Sequence, residues 1–135
     1  MVVYDEQGFE IKRFANNMSI AKSDPLNLVE FLTQVYTTEL PEGIYTPSDM
    51  EIANGLLGKL SNEKTYLSSL LAYLKIAAKL EKQKGNKEEY DNMVCRRDAV
   101  DLILKAVQGQ YDGLSRMVTT KIETNKELMM MGGIT

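Results

Sequence analysis

Histidine and tryptophan are absent from these 135 residues, and cysteine occurs once. Without histidine the chain lacks the commonest general acid–base group and the commonest zinc ligand. A single cysteine makes no internal disulfide, which fits a reducing compartment. Arg96 and Arg97 beside Cys95 would favour its thiolate, but no imidazole is there to activate it, and it reads as an inert thiol. Proline is scarce, and all three prolines lie before residue 48, so nothing from Ser48 to Thr135 breaks a helix in the way proline does. No apolar run approaches the ~20 residues of a membrane span, and no charged-then-apolar leader follows Met1. These absences predict a cytoplasmic protein without membrane contact, cofactor or metal, and a scaffold, oligomer or binding surface rather than an enzyme.

What is present suits a folded domain. Hydrophobic residues make up 44% and charged residues 26%, which excludes wholesale disorder. The net charge of -3 is unevenly spread. Residues 1–58 hold three cations (Lys12, Arg13, Lys22) against nine carboxylates, so the cationic excess falls on the remainder. An acidic head on a mildly basic body attracts polyanions along the body, or pairs head to body between subunits. Solvated helix faces are the plain alternative.

The patterning predicts a mainly α chain: a long antiparallel helical hairpin, a short helix and a small N-terminal β-hairpin. Val2-Val3-Tyr4 and Phe9 to Phe14 read as the two strands, with Gly8 in the turn. Asp24 and Pro25 open a short helix to about Thr38, and Leu40 to Tyr45 turns the chain. Thr46-Pro47-Ser48-Asp49 is the clearest helix start, with a hydroxyl cap, a proline in the first turn and an acid at the dipole. That helix is expected to reach Gln83, with a bend or break left open near Asn54 to Leu60, where Gly55 and Gly58 each cost about 1 kcal/mol. Leu56, Leu60, Leu67, Leu70, Leu74 and Ala77 form a coiled-coil-like seam interrupted at Glu63. A turn near 84–87 leads to a second long helix whose stripe runs through Val100, Ile103, Leu104, Val107, Tyr111, Leu114, Met117 or Val118, and Ile122. The expected organisation is an acidic module over 1–45, the hairpin over 46–130 and a flexible tail over 131–135.

Chemistry is sparse. Glu88, Glu89 and Asp91 read as dipole compensation, and Asp98 and Asp101 as partners for Arg97 and Lys105. A di-metal bundle would need Glu-x-x-His. Gly55-Leu56-Leu57-Gly58 lacks the phosphate-loop spacing. Basic residues with interleaved aromatics carry more: Lys59, Lys64, Tyr66, Tyr73, Lys75, Lys79, Lys82, Lys84 and Lys87 on the first arm and turn, then Arg96, Arg97, Lys105, Tyr111, Arg116, Lys121 and Lys126. Single-stranded nucleic acid is held by such cations and by stacking on aromatic faces. Tyr73 and Tyr111 lie near the apolar stripes and read as core.

Tyr45-Thr46-Pro47-Ser48-Asp49, the leucine-rich arm to Leu80, the glycine-containing turn, Tyr90 with Arg96-Arg97-Asp98, and Tyr111-Asp112-Gly113-Leu114-Ser115-Arg116 together resemble small helical proteins encoded by bacteriophages. Within that group the pattern is similar to recombination mediators of the UvsY type. The resemblance covers about two-thirds of the chain and rests on helix pattern more than on identities. It implies a non-enzymatic protein of the host-cell cytoplasm that forms rings of subunits, binds single-stranded DNA and helps load a recombinase. The acidic pI near 5.1 and the acidic head depart from that family. On this reading the strand lies on Lys75, Lys79, Lys82, Arg96, Arg97 and Arg116. Self-association runs through Leu60, Leu67, Leu70, Leu74, Val107 and Leu114. Two other readings stay open: a virion structural or assembly component whose methionine-rich tail docks on a neighbour, and a phage-encoded inhibitor of a host protein.

Overall fold

The computed structural model describes residues 20–36 and 38–134, with side chains described through residue 130. Three helices carry the fold: α1 (Pro25–Val35), α2 (Pro47–Gln83) and α3 (Lys87–Ile134). The chain is mainly α, as the patterning predicts. The β-hairpin expected over residues 2–14 lies outside the described residues. Among the described residues no helix is long and apolar enough to cross a membrane.

Each start signal works as its chemistry dictates. Asp24 caps α1, its side chain accepting from the Asn27 amide at 3.2 Å with Pro25 in the first turn. The helix stops at Val35, three residues short of the expected end, and the Tyr36 amide closes it on the Leu32 carbonyl. At α2 a full capping box forms. Thr46 Oγ1 accepts from the Asp49 amide at 3.1 Å, and Asp49 Oδ2 accepts from the Tyr45 and Thr46 amides at 3.0 Å each. Those two backbone donors hold the Asp49 carboxyl below its ordinary value of 3.8, because they favour the charged form. α2 then runs unbroken past Gly55 and Gly58, so tertiary packing overrides the two weak positions.

The hairpin turns at Lys84-Gly85-Asn86. Gly85 adopts a φ of 77°, the left-handed conformation that suits glycine at a helix end. Asn86 starts α3 by accepting from the Glu89 amide at 3.3 Å. α3 continues to Ile134, taking in residues 131–134 that the sequence reading set apart as tail. Gly55 and Gly58 have open space where a Cβ would stand. Gly55→Ala and Gly58→Ala should therefore each stabilise the protein by about 1 kcal/mol, whereas Gly85→Ala should destabilise it by about 1 kcal/mol. Urea unfolding of the three variants checks the opposite signs.

The core is the α2–α3 seam capped by α1. Ala53, Leu60, Leu67, Leu70, Leu74 and Ala78 of α2 are buried against Val100, Ile103, Val107, Leu114 and Val118 of α3. Glu63 does not interrupt the α2 stripe but sits inside it at 1% exposure. Lys59 Nζ lies 3.7 Å from Glu63 Oε1 and 3.3 Å from Thr38 Oγ1, so one lysine spans the buried carboxylate and the segment after α1. Leu28 and Leu32 bury the inner face of α1. Tyr36 stacks on Tyr66 with centroids 6.4 Å apart, and Gln110 Nε2 donates to the Thr38 carbonyl at 2.9 Å.

Candidate nucleic-acid interface

The lysines of α2 sort by helical position. At about 100° per residue, Lys64, Lys75, Lys79 and Lys82 fall within a ~60° sector. Tyr66, which meets Tyr36 beyond α1, stands about 180° round the helix from Lys75. The four lysines therefore line the side of α2 turned away from the α1 segment. No carboxylate of α2 shares that sector, since its acids are Asp49, Glu51, Glu63 and Glu81.

Across the seam, α3 presents two tyrosines to this stripe. Lys64 Nζ lies 4.7 Å from the centre of the Tyr111 ring, and Lys82 Nζ 5.8 Å from that of Tyr90. Both are cation–π distances. These pairs also set the register of the hairpin, and by that register Lys75 stands level with Arg97. At the turn, Lys82, Gly85, Asn86, Lys87, Tyr90 and Asp91 line a cavity of about 280 Å³.

The six cations expected to hold a strand separate here. Lys75, Lys79 and Lys82 are exposed, and among the described residues no ion pair engages them. Arg97 joins their end of the hairpin but is tied to Asp98, 3.2 Å from Nη2. Arg116 stands 19 residues, about 28 Å, along α3 from Arg97, with its Nε donating to the Asp112 carbonyl at 3.3 Å. Arg96 leaves the set altogether. It is 5% exposed, its Nε donates to the Ser23 carbonyl at 2.7 Å and its Nη1 to Glu89 Oε1 at 2.8 Å. It clasps the N-terminal end of α1 to α3. Its neighbour Cys95 is a free, exposed thiol.

The six apolar residues expected at a subunit interface are already covered within one chain. Leu60, Leu67, Leu70, Leu74, Val107 and Leu114 are each at most 1% exposed. Their 3- and 4-residue spacing marks a seam, and α2 and α3 of the same chain close it on each other. Asp101 pairs with Lys105 at 2.9 Å, as expected.

Sequence reasoning also missed the place of Lys64 and the exposure of Tyr73. Lys64 belongs to the stripe, and its 11-, 4- and 3-residue steps to Lys75, Lys79 and Lys82 were the available signal. Tyr73, read as core, is exposed, whereas Tyr111, read the same way, packs half-buried against the core with Lys64 over its ring. Among the described residues no group of three or more His, Cys, Asp or Glu is placed to hold a metal ion. No family model, curated protein or solved structure matches the chain.

Proposed function

We propose that the protein is a non-enzymatic, self-associating helical accessory protein that binds single-stranded DNA along the outer face of α2, in the manner of a phage recombination mediator. The observation that carries this reading is the lysine stripe. Lys64, Lys75, Lys79 and Lys82 share one face of α2 that holds none of that helix's own acids, beside Tyr90 and Tyr111. Cations in a row follow a phosphate backbone without demanding a sequence. The overall negative charge makes such binding local to the stripe and strongly dependent on salt.

Fluorescence anisotropy with a labelled oligo-dT strand over a salt series tests it. The triple variant K75A/K79A/K82A should bind about 10- to 100-fold more weakly at low salt, and its slope of log K against log salt should flatten by about 2. R116A, about 28 Å along α3 from Arg97, should weaken binding less than the triple variant does. An unchanged slope in the triple variant overturns the assignment.

A second reading, an assembly component, is favoured by the exposed apolar residues near the end of α3: Ile122, Leu128, Met129 and Met130. On that reading the protein self-associates and leaves the strand unbound.

A further inference from the structure

The lysine stripe of α2 ends at Lys82, and the helix itself ends at Gln83. The chain then turns, and the cavity of about 280 Å³ lies in that turn. Lys82 lines it from α2, Gly85 and Asn86 from the turn, and Lys87, Tyr90 and Asp91 from the start of α3. A strand that follows the stripe towards the turn runs out of helix at this cavity.

Two neighbouring charges are engaged elsewhere: Lys84 pairs with Glu81 at 3.5 Å, and Glu89 with Arg96 at 2.8 Å. Lys82, Lys87 and Asp91 line the cavity, and among the described residues no ion pair engages them. Two cations against one carboxylate leave the cavity with one positive charge in excess. Asn86 commits its Oδ1 to the Glu89 amide at 3.3 Å, which leaves its Nδ2 as a donor. Lys82 Nζ stands over the Tyr90 ring, so the cavity offers charge and hydrogen bonds there and not a bare stacking surface.

We infer that this cavity takes a terminal phosphomonoester of the bound strand, held between Lys82 and Lys87. The inference rests on the strand binding proposed above and adds to it a preference for an end. A phosphomonoester carries about −1.5 to −2 charges at neutral pH, whereas each phosphate within a strand carries about −1. The excess positive charge of the cavity therefore favours the end of a strand over its middle. Its volume lies just under the roughly 300–1,000 Å³ of small-molecule pockets, which suits one phosphate and part of its sugar. Asp91 opposes an anion, so the two signs of charge in the cavity give variants with opposite effects.

Fluorescence anisotropy of the full chain compares internally labelled oligo-dT strands of one length, with a 5′-phosphate, a 3′-phosphate, or hydroxyls at both ends. The parent should bind at least one phosphorylated strand about 3- to 10-fold more tightly than the hydroxyl strand at low salt. K87Q should remove that difference, and D91N should enlarge it. Both side chains are exposed, so both variants should fold as the parent does. K75A/K79A, which alters the stripe alone, should weaken all the strands alike and keep the difference. Phosphorylated strands bound no more tightly than the hydroxyl strand, as a cavity serving free phosphate alone would give, overturn the inference and leave the stripe standing. A difference that K87Q and D91N leave unchanged does the same. A folded parent that binds none of the strands overturns the inference together with the strand reading.

Discussion

Replacing Leu67 with alanine is expected to lower the free energy of unfolding by about 3 kcal/mol. Leu67 is 0% exposed. It lies between Leu60, Leu70 and Leu74 of its own helix, in a core shared with Val107 and Leu114 of α3. Truncation removes the transfer energy of the side chain and leaves a void between two long helices that are tied together at the turn and do not close easily around it. Urea unfolding at about 1 µM measures the loss. The parent should remain cooperatively folded at that dilution. A seam completed only by a second chain would instead make the fold itself depend on concentration, with a midpoint that falls on dilution.

Arg96→Met should cost about 2 kcal/mol, and the cost should fall mainly on α1. Arg96 donates to both the Ser23 carbonyl and Glu89. Methionine keeps much of the apolar stem but leaves the Ser23 carbonyl without this donor and Glu89 without its partner. Glu89 is 36% exposed, and water screens it, so the loss falls below that of a fully buried pair. Arg96→Lys should recover part of the loss, since lysine keeps the charge and lacks the fork that serves two acceptors at once. Urea unfolding gives the magnitude. Hydrogen exchange locates it: amides of α1 should lose protection first in Arg96→Met, while those in the middle of α2 retain theirs. Equal loss across all three helices would show that Arg96 supports the hairpin as a whole and does not act as a clasp for α1.

The parts of this fold that sequence made legible are those whose causes lie within a few residues. Thr46, Pro47 and Asp49 form the capping box that their order announces, and Gly85 takes the positive φ for which a glycine after a cationic last turn is suited. The spacing of Leu60, Leu67, Leu70 and Leu74 marked a buried stripe, but spacing alone does not say whether its cover comes from the same chain. Arg96 was illegible for a different reason. Beside Arg97 and near Lys105 it looks like one more surface cation, and its burial depends on a carbonyl 73 residues away at the start of α1. Glu63 is a similar case. A carboxylate within an apolar stripe reads as an interruption until Lys59 and the segment after α1 are seen to meet it. The lysine stripe needed no tertiary information, only the step from Lys64 to Lys75 counted round the helix.

These separations sharpen what each surface is for. The clasp and the seam belong to folding, and the lysine stripe of α2 to the proposed ligand. The most direct test of the last is sedimentation velocity of the full chain with a labelled oligo-dT strand, at low salt and again as salt is raised. The account predicts that the strand co-sediments with the protein at low salt, is released as salt rises, and fails to co-sediment with K75A/K79A/K82A. A strand left behind at low salt by a folded protein would contradict it.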